Sequence, residues 1–203
     1  LEKDTVANVF RRPPVLITTF LNEICKVFGF FSEFISGWFY FHRIGPCISV
    51  FGSARFAENN KYYKMGREVG KEAAKHKLAI MTGGGPGVME AANRGAKETP
   101  LGCSYGCAIL IPEEQSSNKY MDTCRVFKNF FIRKVMLCRF STGFIVLPGG
   151  FGTLDELFEM LTLIKTKRVK NFPIVLMGSE YWKPMLKYFD ETMLQTGTVR
   201  QEE

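Results

Sequence analysis

The sequence predicts an α/β fold: a doubly wound, mainly parallel, Rossmann-like sheet with helices on both faces, preceded by an N-terminal amphipathic helix. Two observations carry this. Five short apolar runs, at residues 47–51, 78–81, 107–111, 144–147 and 173–177, alternate with segments of helical composition. Runs that are apolar throughout, rather than at every second residue, read as strands covered on both faces, the condition of a parallel sheet. Three of the runs also end in glycine-rich turns, at Gly52, Gly83 and Gly149. Ligands of doubly wound sheets sit beyond the carboxyl ends of the strands, and glycines converging there let backbone approach a ligand closely.

Taken in order, residues 15–41 are strongly apolar and imitate a membrane span. Thr19, Asn22, Glu23, Lys26, Gly29, Glu33, Ser36 and Gly37 interrupt them every three or four residues, a single polar stripe on a helix. Burying Glu23, Lys26 and Glu33 in hydrocarbon would cost a few kcal/mol each, so the segment is expected to pack on the domain or on a second subunit, with a break near Gly29. A peripheral membrane anchor would want a more basic polar face. Residues 1–45 are thus expected to form a helical extension, and residues 46–203 a nucleotide-binding domain. Helices are expected over about 61–76, 87–98, 125–141, 153–166 and 181–195.

A chain of 203 residues suits one domain with an appendage. Its 46% hydrophobic and 23% charged composition is that of a globular protein that needs no disulfide or metal staple. The net charge of +7 is dispersed, without a run of five or six like charges or a nucleic-acid-binding module, so a small anionic ligand explains it better than nucleic acid. Of the six cysteines only Cys103 and Cys107 are close, and His42 and His76 lie far from them, a poor zinc pattern. Reduced thiols and a start without a secretory leader point to the cytoplasm. No metal and no cofactor are expected.

The segment Pro148-Gly149-Gly150-Phe151-Gly152-Thr153-Leu154-Asp155-Glu156 has the parts of an anion cradle: glycines that free the backbone, a hydroxyl, and a helix N-terminus. The known phosphate signatures are missing. There is no G-x-x-x-x-G-K-[ST], and the Gly83 turn lacks the G-x-G-x-x-G spacing, which excludes a P-loop ATPase and disfavours a nicotinamide enzyme. Asp155 reads as a dipole complement at the helix start. Glu156, beside the cradle, could face a sugar, and Arg133 becomes a partner for it or for the phosphate.

The run from Thr82 to Asn93, the pair Arg133-Lys134, and the segment from Pro148 to Glu156 closely resemble the LOG ("lonely guy") family of phosphoribohydrolases, over roughly residues 46–195. The resemblance implies release of the base from a nucleoside 5′-monophosphate. It implies that Arg133 and Glu156 match the family's catalytic arginine and glutamate, and that Gly52, Ser53, Gly83, Gly84, Gly85, Glu90, Lys134, Gly149, Gly150, Gly152 and Thr153 match its substrate-binding positions. The label "lysine decarboxylase-like" carried by many relatives has no counterpart here in a pyridoxal-phosphate lysine site. Plant-type members usually carry Met four residues after the arginine and Asp before the fourth strand. Here those places read Leu137 and Ser141-Thr142-Gly143, which implies a different base pocket. Phe51-Gly52-Ser53-Ala54-Arg55 looks more like the bacterial nucleotide nucleosidases.

Two readings follow: a nucleoside 5′-monophosphate phosphoribohydrolase, or a non-catalytic carrier of a nucleotide or molybdopterin-type cofactor. A pure binder would not need Arg133 and Glu156 together. A homodimer is expected, because family members commonly pair and the Phe-rich stripe of residues 20–41 has no evident internal partner. Phe127, Phe130, Phe131 and Leu137 are expected to add to that contact.

Overall fold

The computed structural model describes residues 17–110 and 117–200. Helix α1 (Ile17–His42) leads into β1 (Cys47–Phe51), α2 (Lys61–Lys75), β2 (Ala79–Thr82), α3 (Val88–Lys97), β3 (Ser104–Ile109) and β4 (Thr123–Phe127). Then come α4 (Phe130–Arg139), β5 (Ser141–Val146), α5 (Phe151–Lys165), β6 (Ile174–Leu176) and α6 (Ser179–Tyr188), which runs into a π-helical turn, Phe189–Met193. The strands form one all-parallel sheet in the order β4-β3-β2-β1-β5-β6. The chain steps outward from β1 to β4, then returns to lay β5 on the free side of β1. That reversal makes the β1–β5 edge the topological switch point, where the connecting loops part and leave a crevice.

Side chains of successive strand residues alternate between the sheet faces. Val50, Ile80 and Leu147 pack under α2 and α3, against Val69, Ala73, Val88 and Ala92. Phe51, Met81, Phe144 and Val146 pack under the other helices, against Phe41 of α1, Met136 of α4, Leu157 of α5 and Trp182 of α6. Helix α2 opens on Asn60, whose Oδ1 accepts from the N–H of Tyr62 at 2.8 Å and so satisfies one orphan donor of the first turn.

The structure corrects three expectations. Residues 123–127 are an edge strand, not the start of a helix, because their backbone completes the ladder of β3 from Tyr105↔Thr123 to Ile109↔Phe127. Helix α4 therefore follows β4, and its N-terminus stands at the same edge as the glycine turns. The break expected near Gly29 is absent: α1 is one helix from Ile17 to His42. Residues 15, 16 and 111–116, including the expected start of the first helix and the strand end at Ile111-Pro112, lie outside the described residues, as does the side chain of Thr19.

The largest difference is the orientation of α1. Part of its polar stripe faces inward. Glu33 accepts from the backbone N–H of Lys128 at 2.6 Å and from Asn129 Nδ2 at 2.5 Å, and Ser36 accepts from Arg125 at 2.7 Å. Gly37 brings the helix onto Phe127 and Met136: a Cβ there would lie 2.8 Å from the Phe127 ring. Phe30 meets Phe131 and Trp38 meets Phe140, each edge to face. With Phe41 wholly buried, the C-terminal half of α1 belongs to the same core as the sheet.

Candidate active site

A cleft of about 920 Å³ opens at the switch point. Its walls are the turns after β1, β2 and β5, the end of β3, and the first turns of α4 and α5. Backbone bonds tie these turns together. The N–H of Ser53 donates to Pro148 O at 2.9 Å, and the N–H of Val88 donates to Ser53 O at 3.0 Å. Gly149 sits at the tightest point: a Cβ there would lie 2.1 Å from Thr153 Oγ1 and 2.9 Å from Ser53 N, so only glycine lets the two turns close on each other. The Tyr181 hydroxyl donates to Gly149 O at 2.7 Å and braces the turn from α6.

Helix α5 begins at Phe151, two residues earlier than its sequence suggests. The N–H groups of Thr153 and Leu154 both donate to Gly150 O at 3.0 Å. Those of Phe151 and Gly152 remain in the first turn, where helix geometry offers them no partner and the macrodipole favours an anion. Added Cβ atoms at Gly150 and Gly152 meet nothing within 4 Å, so both glycines face open space at the mouth of this cradle.

About 7 Å further along the helix axis, Glu156 is 3% exposed and lines the cleft. Arg133, from the first turn of α4, donates through Nη1 to Glu156 Oε1 at 2.7 Å and through Nε to Cys107 O at 2.9 Å. The guanidinium is thus locked between the end of β3 and the carboxylate, beside the Gly83 turn. The other oxygen, Glu156 Oε2, is buried without a hydrogen-bond partner. Burial raises the Glu156 pKa, and the positive charges of Arg133 and Lys134 partly oppose the rise. A buried carboxylate with one spare oxygen is a site built to meet a polar or cationic group of a ligand.

The Gly83 turn is held from behind by a buried polar network. Thr82 Oγ1 donates to Asn93 Oδ1 at 2.7 Å and accepts from the N–H of Gly84 at 3.0 Å. Asn118 Nδ2 donates to Gly84 O, Gly85 O and Asn93 Oδ1 at 3.2, 3.0 and 3.0 Å. Asn93 Nδ2 donates in turn to Ser104 Oγ at 2.7 Å. Gly84 itself adopts φ +79, a left-handed conformation that favours glycine. The network occupies the carbonyls of Gly84 and Gly85 and the N–H of Gly84, and so fixes the shape of the turn.

The structure brings Gly52, Ser53, Gly83, Gly84, Gly85, Arg133, Gly149, Gly150, Gly152, Thr153 and Glu156 together around the cleft. It leaves two expected residues outside. Lys134 turns away and pairs with Asp155 at 2.8 Å and Glu159 at 2.9 Å, because consecutive residues on α4 point about 100° apart. Glu90 accepts from the Tyr63 hydroxyl at 3.0 Å, facing α2. The positions expected to alter the base pocket are also remote: Leu137 is buried in the core, and Ser141 opens β5 at the opposite end of the sheet. The apolar side of the cleft is instead Met89, Ala108, Ile109, Leu110, Val126 and Phe130. Asn118 and Tyr181 had no local signal, since each acts across more than thirty residues of sequence.

A doubly wound sheet with a glycine cradle and a buried Arg–Glu pair at its switch point places the chain among the Rossmann-like α/β proteins. Residues 89–203 match the family described as "Possible lysine decarboxylase", and the chain belongs to this family, which includes the LOG proteins. It is 28% identical to the cytokinin riboside 5′-monophosphate phosphoribohydrolase of Rhodococcoides fascians over 73% of this chain and 76% of that one. It is 27% identical to the pyrimidine/purine nucleotide 5′-monophosphate nucleosidase of Escherichia coli, over 68% of this chain but only 32% of that longer protein. Among solved structures it resembles the Moco carrier protein of Chlamydomonas reinhardtii, at 30% identity and a TM-score of 0.52, over 72% of this chain and 85% of the carrier.

Proposed function

We propose that the chain is a nucleoside 5′-monophosphate phosphoribohydrolase, which hydrolyses the N-glycosidic bond to release the free base and ribose 5-phosphate. The observation that carries this reading is Glu156, buried on the cleft wall with Arg133 on one oxygen and no partner on the other. The 5′-phosphate sits in the cradle of Phe151 and Gly152. The ribose lies over Glu156, and the base rests on the apolar side formed by Ile109, Val126 and Phe130. As the C1′–N bond breaks, its electron pair leaves with the base, which takes up a proton. The oxygen of a water molecule bonds to C1′ and releases a proton. The electron-poor C1′ formed on the way is stabilised by the ionised carboxylate of Glu156, in a site where little water screens it. Phosphate binding remote from the reacting bond contributes orientation.

The second reading, a carrier of a nucleotide or molybdopterin-type cofactor, is favoured by the likeness to the Chlamydomonas carrier. The buried Arg–Glu pair supports turnover, because a carboxylate held beside the sugar can stabilise the electron-poor C1′ as the bond breaks. Incubation with AMP separates the two. Adenine and ribose 5-phosphate released in equal amounts support the hydrolase. Saturable AMP binding without release sinks it in favour of the carrier.

A further inference from the structure

We infer that Arg55, on the turn after β1, is the side-chain cation that meets the 5′-phosphate of the substrate; this rests on the nucleotide-cleaving reading of the cleft. Among the described residues four charged side chains line the cleft: Arg55, Arg133, Asp155 and Glu156. Three of them are already engaged. Arg133 is held on Glu156 Oε1 at 2.7 Å and on Cys107 O at 2.9 Å. Its remaining nitrogen, Nη2, faces the Gly83 turn, where an added Cβ would lie 3.0 Å from it. Asp155 has Lys134 at 2.8 Å. Arg55 is exposed on the cleft wall, and among the described residues no carboxylate pairs with it.

The root of this side chain is fixed beside the cradle. The N–H of Arg55 donates to Ser53 Oγ at 3.1 Å, which closes the turn on itself. Ser53 is clamped on both sides, by Pro148 O at 2.9 Å and by the N–H of Val88 at 3.0 Å. The start of α3 presses on the same turn, since a Cβ at Gly87 would lie 2.3 Å from Ser53 O. Two residues of chain span at most about 7 Å, so Arg55 starts within an arginine's reach of the Gly149–Gly152 segment. Charge then decides its role. A phosphate monoester carries roughly −1.5 to −2 at neutral pH, and the first turn of α5 offers only about +0.5. With Arg133 compensated by Glu156, a full positive charge is still wanted, and Arg55 supplies it. Its planar fork matches two phosphate oxygens at once. A nucleoside without the phosphate gives Arg55 nothing to bind, so this residue separates nucleotides from nucleosides.

Calorimetric titration with AMP and with adenosine tests this, in the Glu156→Gln background so that AMP is not consumed. Arg55→Gln is expected to raise the AMP dissociation constant about tenfold to a hundredfold, the usual effect of losing a hydrogen bond to a charged group. The adenosine constant stays where it was. Arg55→Lys keeps the charge without the fork, and its AMP constant falls between those of the parent and the glutamine variant. Arg55 is exposed, and an unchanged circular dichroism melt shows that each variant is folded. An AMP constant unmoved by Arg55→Gln overturns the inference, as does equal weakening of AMP and adenosine. The reading of the cleft fails separately. Arg55-dependent AMP binding, with no adenine released by the parent chain, keeps the phosphate contact and removes the hydrolase.

Discussion

At the scale of single residues, the site rests on a carboxylate kept at a cost. Glu156→Gln preserves shape and removes the charge that counts only as the bond breaks. We expect base release from AMP to fall by at least about a hundredfold while the nucleotide dissociation constant stays within about tenfold; isothermal titration beside the turnover assay reads both. Normal turnover in the variant would remove Glu156 from the chemistry. Because burial raises its pKa, the acid limb of kcat/KM lies above the usual carboxylate range, with activity climbing as the pH rises through it. Arg133 lowers that pKa, so Arg133→Gln moves the limb further up in pH. The same shift has a stability sign. A folded-state pKa above the unfolded one contributes stability that is complete below the unfolded value and is lost as the pH rises through the folded value. The Tm of Glu156→Gln, measured against the parent, is therefore expected to improve steadily from acid to neutral pH.

At the scale of elements, two kinds of glycine share one motif. Gly149 is needed by the fold, since its Cβ would strike Thr153 and Ser53. Gly150→Val and Gly152→Val place a side chain in the space left for the ligand, with nothing of the protein within 4 Å of the new Cβ. Both are expected to melt near the parent temperature yet lose AMP binding, whereas Gly149→Val lowers the melting temperature. Calorimetry with a binding titration distinguishes them, and intact affinity in a folded Gly152→Val protein would move the phosphate elsewhere. The turn after β2 makes a parallel case. Asn118→Ala removes three buried hydrogen bonds and strands Gly85 O, while Gly84 O keeps the backbone N–H of residue 118, at about 1–3 kcal/mol for a buried group left unpaired. A urea midpoint shifted downward, with KM rising more than kcat falls, is the expected reading of a turn that has lost its support.

For the whole molecule, α1 and the sheet share one core although the composition changes near residue 45. Phe41, Phe127 and Met136 are all wholly buried, and Phe41 stacks 6.2 Å from Phe127. A chain beginning at residue 46 would open that face to water. It is expected to unfold with a broadened, lower transition by circular dichroism; a sharp melt at the parent temperature would show that α1 is an appendage after all. Among the described residues no helix is long and apolar enough to cross a membrane, and all six cysteines are free.

What the sequence determined by itself is what local chemistry can carry. Apolar runs covered on both faces read directly as parallel strands, and glycine turns at strand ends mark the ligand edge. Arg133 and residues of the Pro148–Glu156 segment stand out together, and both line the cleft. The edge strand β4 escaped because only one side has a neighbour, so Thr123-Cys124-Arg125-Val126-Phe127 keeps polar residues and never shows a continuous apolar run. Only the tertiary structure decided the rest. Periodicity says that α1 has an apolar and a polar side, but not that Glu33 and Ser36 would find partners on β4 and its exit turn and leave the phenylalanines outward. Nor can spacing tell that Arg133 meets Glu156 while its neighbour Lys134 does not. Those outcomes depend on which elements the crossovers lay side by side, a property of the whole chain's path.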